Sequence, residues 1–260
     1  MGSSSHPSAL GLAALAGALA AGAACAHPGG PQSTATGADA RFQSRGVASE
    51  LGPIATVSGQ PSGKYEASTT VADISQNVAI APVSPTPTAY VISRNLTSHV
   101  AGSGWGVDSR SSEGDTSIEA AQLWMNLDPP PPGGPVPEPP LTVTARSLSS
   151  SASFSTVVPN YNFAIGVATI GSLTVTGAFL GGATLKYSGS APPDTVIYSS
   201  PTVTITLNRQ IKSGIISCSP GCAFTVTSID VAAVDIALDK VTMYGTRISG
   251  DIVLGEAAAQ

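Results

Sequence analysis

Two cysteines near the carboxyl end of the chain carry the clearest chemical signal. Cys218 and Cys222 are separated by Ser219-Pro220-Gly221. Proline presets the φ of a turn and glycine accepts a positive φ, so this spacing places the two cysteines opposite each other at the base of a hairpin. We therefore predict a disulfide between them. A redox pair usually has C-x-x-C spacing at a helix start, and a zinc site would need two more ligands, so neither alternative is favoured.

The third cysteine, Cys25, follows an uncharged run rich in alanine and leucine that begins at Ala9. The run is shorter than the ~20 apolar residues of a permanent membrane span, and it ends in small residues, as an export signal does. Ala24-Cys25-Ala26 suits a general signal peptidase, whereas Gly22-Ala23-Ala24-Cys25 is a loose lipobox. The first reading releases a chain that starts at His27, and the second tethers a lipidated Cys25 to a membrane.

Export follows from both readings, although residues 1–7 lack the lysine or arginine typical of either signal. We predict a signal peptide over residues 1–26 and a flexible tether, rich in Gly, Pro, Ser and Thr, over residues 27–40. The expected location is secreted or cell-surface, with lipid anchoring through Cys25 as the alternative. An oxidising compartment also favours the predicted disulfide.

Catalytic motifs give little support for an enzyme. The sequence has no G-x-S-x-G elbow, no H-E-x-x-H and no phosphate-binding glycine loop. A Ser-His-Asp triad would have to use His99, and because serine is abundant, a chance pairing is easy. We expect His99 to be a loop or surface residue, and we predict no catalytic residue and no cofactor.

Two other groups of residues are candidate ligand contacts. Trp105, in Gly102-Ser103-Gly104-Trp105-Gly106, and Trp124 could stack on a sugar, although a tryptophan beside glycines is more often a core anchor. The acidic residues Asp108, Glu113 and Asp115 form a weak calcium candidate, because their spacing misses the EF-hand order and Arg110 lies among them. A solvated acidic turn is the favoured interpretation, and we assign no metal site.

The composition excludes some classes of protein. Charged residues make up 10% of the chain, against about 25% in ordinary soluble domains, and the net charge is −5. Nucleic-acid binding needs clustered Lys and Arg, but the 11 basic residues are scattered. Solubility therefore rests on Ser, Thr, Asn and Gln, which suits an extracellular or envelope protein.

A proline-rich segment divides the sequence. Residues 129–140 contain so many prolines that neither a helix nor a central strand can pass through them. We interpret the segment as a linker, or alternatively a long loop, between an N-terminal β-rich unit, residues 41–128, and a C-terminal β-rich domain, residues 141–260.

Alternating residues predict the strands on both sides. Thr202-Val203-Thr204-Ile205-Thr206-Leu207 places its apolar side chains on one face and its threonines on the other. Similar patterns occur at 141–145, 172–176 and 224–227, and strand-like runs occur at 69–74 and 89–92. Residues 118–127 fit either a short helix or a strand that buries Leu123, Met125 and Leu127, and we favour the strand.

These patterns predict an all-β fold, an antiparallel β-sandwich or sandwich-like units after the signal segment. The glycines at 245, 250 and 255 recur every five residues, so a β-solenoid in the C-terminal part is the alternative.

The function predicted is that of an exported, non-enzymatic structural or surface-interaction protein of the cell envelope or extracellular space. A glycan- or ligand-binding module and a hydrolase with dispersed acidic residues are the alternatives. No partner is identified. A membrane contact through lipidated Cys25, an envelope glycan, and self-assembly through exposed strand edges all remain open.

Overall fold

The computed structural model describes residues 32–59, 64–81, 86–104, 109–128, 139–157, 161–218 and 222–260. Nearly all of these residues lie in β-strands, joined in one place by a 3-10 turn at Ala178–Leu180. No helix in this part of the chain is long and apolar enough to cross a membrane. The strands are β1 Ser33–Ser44, β2 Val47–Ile54, β3 Val57–Ser58, β4 Tyr65–Ala79, β5 Thr86–Ser103, β6 Ser109–Asp128, β7 Thr142–Val157, β8 Tyr161–Thr176, β9 Leu185–Ser190, β10 Thr195–Ser199, β11 Val203–Cys218, β12 Cys222–Met243 and β13 Thr246–Ala259.

The strands form two antiparallel sheets that lie face to face. The seven-stranded sheet has the order β10-β11-β12-β13-β1-β2, with β3 added beside β1. The six-stranded sheet has the order β4-β5-β6-β7-β8-β9. One large apolar core lies between them, with residues such as Leu96 and Ile118 from one sheet and Ile205 and Ile252 from the other. The predicted all-β, antiparallel fold is confirmed.

The division into two β-rich units differs from the structure. Strands β4 to β6 precede the proline-rich segment and β7 to β9 follow it, yet all six belong to one sheet. β6 pairs with β7 directly, so the strands before and after residues 129–140 are neighbours in one sheet. The physical reason is that the apolar faces on both sides of the prolines are buried in the same core.

Two further expectations need correction. Residues 33–40, predicted to be tether, form most of β1, where Ala38 and Ala40 are buried. β13 pairs antiparallel with β12 and with β1, whereas a solenoid would stack its coils in parallel, so the C-terminal glycines do not mark a solenoid. The segment 118–127 is part of strand β6, as favoured, and Leu123, Met125 and Leu127 are buried.

An extra residue in each of four adjacent strands changes which side chains point inward. In β5 both Ser93 and Leu96 are buried, three positions apart, where regular alternation would bury residues two apart. The same spacing recurs at register in β6, β7 and β8. We call the extra residues the offset row: Asn95, Glu119, Ser147 and Gly171. Asn95 and Ser147 have φ of 45° and 51°, and Asn95 donates a hydrogen bond to Glu119.

Small residues occupy part of the inner face of the six-stranded sheet on one side of the offset row. They are Ser98, Gly114, Thr116, Ser150 and Ala152. A Cβ at Gly114 would lie 2.8 Å from the carbonyl oxygen of Thr34 and 2.9 Å from that of Ala258. The missing side chain therefore lets the backbones of the two sheets approach closely.

Replacement of Gly114 tests this close approach. We expect Gly114→Val to lower the free energy of unfolding by about 1–3 kcal/mol, because the added side chain must push β1 and β13 away. Ser117→Val places the same side chain on the exposed face of the same strand and should change stability by less than about 0.5 kcal/mol. Urea unfolding measures both, and equal stability of the two variants would contradict the argument.

The backbone also bears on the predicted disulfide. Strands β11 and β12 form a hairpin in which Cys218 pairs with Cys222 in register. The side chains of both residues lie outside the described part of the structure, so the disulfide remains a prediction.

A reduction experiment tests that disulfide. In a Cys25→Ser background, reductant should lower the free energy of unfolding by about 2 kcal/mol, the stabilisation expected from closing so short a loop. The variant Cys218→Ser/Cys222→Ser should have the same free energy of unfolding as the reduced protein, and reductant should not change it. If reductant leaves the urea midpoint of the Cys25→Ser protein unchanged, the two thiols are not bonded.

Candidate functional site

A row of serines runs along the outer face of β7. Along this strand serines alternate with the buried residues Ser150, Ala152 and Phe154. Because successive side chains of a strand point to opposite faces, the alternating serines share one face of the sheet. They are Ser149, Ser151, Ser153 and Ser155.

Larger side chains on the neighbouring strands form walls along this serine row. Ser151 lies opposite Asp115 of β6 on one side and opposite Val167 of β8 on the other. Val167 is about half exposed, as are Phe163 and Ile165 on the same face of β8. Since serine is small, the row becomes the floor of a groove.

This groove, which we call the hydroxyl groove, has a volume of about 420 Å³. Its lining includes Thr97, His99, Asp115, Ser117, Ser151 and Thr169. A second depression of about 260 Å³ lies two residues farther along the same strands, beside Glu66, Glu113, Ser153 and Ser155. The two together offer an extended surface rich in groups that donate and accept hydrogen bonds.

A histidine between two carboxyl groups forms the wall on the side of β5. The Nδ1 of His99 lies 3.5 Å from Oδ2 of Asp115, and its Nε2 lies 3.5 Å from Oε1 of Glu66. His99 pairs with Asp115 in register, whereas Glu66 is its diagonal neighbour on β4. Carboxylates on both sides of the imidazole therefore fix its orientation.

The trio has the wrong arrangement for a serine nucleophile. In a Ser-His-Asp relay one imidazole nitrogen faces the carboxylate and the other faces the serine oxygen. Here the second nitrogen of His99 faces Glu66. A loop or surface residue was expected, and the structure places His99 on strand β5 with its side chain one-third exposed.

Tyr65 lies at the second depression and ties the two sheets together. Its hydroxyl oxygen is 2.8 Å from Oγ of Ser33 on β1. Burial raises the pKa of Tyr65, and the hydrogen bond to Ser33 opposes that shift. The phenol is therefore neutral at physiological pH and holds this end of the groove to the opposite sheet.

Trp124 lies on the same outer face but in the other half of the sheet. Its ring stacks on Tyr90 with 5.2 Å between ring centroids and an interplanar angle of 7°. Tyr90 and His99 are nine positions apart on β5, a distance of roughly 30 Å along a strand. The aromatic pair and the hydroxyl groove are thus separate features of one face.

The remaining predicted site residues are not brought together. Glu113 and Asp115 lie on strand β6, where a loop was expected, and they alternate on its outer face. Asp108, Trp105 and Cys25 fall outside the described residues. No group of three His, Cys, Asp or Glu side chains that could hold a metal ion occurs in the described ranges.

Sequence reasoning missed Glu66, Val167 and the serine row. The serines carry a visible signal, because Ser149-Ser150-Ser151-Ala152-Ser153-Phe154-Ser155 has the period of a strand with one small polar face. Glu66 and Val167 carry none, since only the register of β4 and β8 brings them beside the groove.

Comparisons with known proteins add no family. No family model and no curated protein matches the chain. One similar solved structure is Ail, the attachment invasion locus protein of Yersinia pestis, with 6% identity and a TM-score of 0.15, covering 89% of this chain and 99% of that one. Another is the translocator domain of autotransporter NalP from Neisseria meningitidis, with 11% identity and a TM-score of 0.22, covering 91% of this chain and 90% of that one. Similarity at these TM-scores supports no conclusion about this chain.

Proposed function

We propose that the protein is an exported, non-enzymatic surface-interaction protein that binds its partner through the hydroxyl groove. Export rests on the signal-like residues 1–26, and location at the cell surface or in the extracellular space follows from it. The observation that carries the binding role is the groove itself, a trough on the six-stranded sheet whose lining residues are mostly serines and threonines.

The chemistry of the lining favours binding over catalysis. Serine and threonine hydroxyls donate and accept hydrogen bonds without carrying charge, so they suit a neutral, polar ligand. In the described part of the chain His99 is the histidine beside the floor, and both of its nitrogens face carboxylates rather than a serine. A chain with 10% charged residues also offers few ionic contacts, so hydrogen bonds and packing against Val167 would supply the recognition.

An extracellular glycan is the second candidate, as one specific class of ligand. The parallel Tyr90 and Trp124 rings lie on the same outer face as the groove. Aromatic faces and hydroxyl rows are the two kinds of surface that sugars contact, through their C–H groups and their hydroxyls. A polymer that extends along the strands would pass over both.

A blocking substitution tests the groove. Ser151→Leu fills the centre of the floor from a half-buried position and should weaken binding to cell-envelope preparations or array glycans at least about tenfold, or about 1.4 kcal/mol. Thr144→Leu adds the same side chain to the same face of β7 outside the groove and should bind like the original protein. Equal loss in both variants, or binding by neither protein to any preparation, would contradict the proposal.

Two further variants separate the candidates. Trp124→Ala should reduce binding only if the ligand is a glycan that reaches the aromatic pair, whereas Ser151→Leu reduces binding for any occupant of the groove. Hydrolysis of polysaccharide or ester substrates that His99→Ala abolishes would replace the binding proposal with the hydrolase alternative.

A further inference from the structure

The outer face of the seven-stranded sheet carries a second concentration of charge. Register aligns Asp39 of β1, Val253 of β13 and Asp235 of β12 in one row across three strands. Three more carboxyl groups lie around this row on β12 and β13. We call the five carboxyl side chains the acidic patch: Asp39, Asp230, Asp235, Asp251 and Glu256.

Two arginines compensate this charge only in part. The Nη2 of Arg41 lies 2.7 Å from Oδ2 of Asp39, and its Nε donates to Oε1 of Glu50 at 3.1 Å. The Nε of Arg209 lies 3.5 Å from Oδ2 of Asp235 but makes no hydrogen bond. Five carboxyls thus share two guanidinium groups, one of which also serves Glu50.

Two of the carboxyl groups are deeply buried and incompletely paired. Asp39 is 8% exposed and Asp235 is 6% exposed. The Oδ1 atom of each is buried without a hydrogen-bond partner. A buried carboxylate oxygen without a donor is costly, and protonation of the carboxyl removes that cost by removing the charge.

Asp230 and Glu256 favour a proton for a different reason. They are diagonal neighbours on the outer face of β12 and β13, because Glu256 lies opposite Ala232 and Asp230 lies opposite Ala258. Two ionised carboxylates on adjacent strands repel each other, so protonation of either one removes a repulsion between β12 and β13.

The titration of the patch agrees with this geometry. Burial raises the pKa of Asp235 to about 6, and burial together with Asp230 raises the pKa of Glu256 to about 7. Burial also raises the pKa values of Asp39, Asp230 and Asp251. The charged groups that act on Glu256 are Asp230 on β12, Arg209 on β11 and Arg41 on β1. Glu256 in turn raises the pKa values of Asp39 on β1 and Asp235 on β12. Asp251 on β13 interacts with Asp235 and the two arginines, and Glu50 on β2 interacts with Asp39 and Arg41.

We propose that the acidic patch is a proton-operated clasp, which fastens β13 between β1 and β12 when protonated and loosens that strand when it loses its protons. The folded protein keeps protons on these carboxyls that the unfolded chain has already released above about pH 4.5. Since the native state then binds more protons, stability falls as pH rises towards 7. The clasp is independent of the hydroxyl groove, which lies on the other sheet.

Thermal unfolding as a function of pH tests the clasp. The unfolding temperature of the full chain should drop by roughly 5–10 °C between pH 5 and pH 8. Glu256→Gln removes the repulsion between residue 256 and Asp230 at any pH, so it should remove at least half of this drop and unfold at a higher temperature than the original protein at pH 8. Asp239→Asn, at an exposed position of β12, should keep the original pH dependence.

A second variant and a local measurement locate the effect. Asp235→Asn should also flatten the pH dependence, which keeps the test valid if Glu256→Gln fails to fold. Hydrogen exchange of residues 251–258, corrected for intrinsic rates, should show faster opening at pH 8 than at pH 5 in the original protein alone. An unfolding temperature that is flat or rises from pH 5 to pH 8, or a full drop in both variants, overturns the proposal.

Discussion

The rest of the structure depends on the close approach of two sheets that share one core. Their backbones approach each other closely at Gly114 because that residue has no side chain. Hydrogen bonds then join the sheets directly: Ser112 donates to the carbonyl of Gln260, and Gln210 donates to that of Gly166. Bonds between a side chain of one sheet and a backbone group of the other set the spacing as well as adding stability.

The offset row allows large residues to pack between the same two sheets in other parts of the core. An extra residue in a strand changes the phase of its alternation, so that apolar residues on both sides of the offset row still face the core. Ser93 and Leu96 of β5 show the change directly. Because β5 to β8 carry the extra residue at matching register, the ladders continue across it. The same row divides the outer face into the hydroxyl groove and the aromatic pair.

The phase change also explains what could and could not be predicted from the sequence. Alternation predicted strands at 141–145 and 172–176, each of which ends or begins beside the offset row. The strands continue beyond, but with the opposite phase, so a fixed period of two does not follow them. The fold class needs only local patterns and was predictable. The pairing of β1 with β13, more than 200 residues apart in the sequence, depends on long-range packing that no local pattern encodes.

The candidate site shows the same limit. The sequence identified Trp124 as a candidate ligand contact from its residue type alone. Its stacking on Tyr90 depends on the register of β5 and β6, which the sequence did not predict. His99 was visible as a histidine in the folded region, yet its chemistry depends on Glu66 and Asp115 from two other strands. Cross-strand neighbours are fixed by register, so a sequence that predicts strands without their pairing cannot assign such clusters.

The distribution of charge gives the two outer faces different physical roles. Five of the 16 acidic residues of the chain lie in the acidic patch. That face therefore responds to protons, whereas the floor of the hydroxyl groove consists of serines that do not titrate. The patch spans β12, β13 and β1, which are adjacent strands of the seven-stranded sheet. A change in its charge therefore affects strands that cover one side of the core. A protein with few charges has thus placed five carboxyl groups where they bear on folding, whereas the floor of the hydroxyl groove on the opposite sheet is an uncharged row of serines.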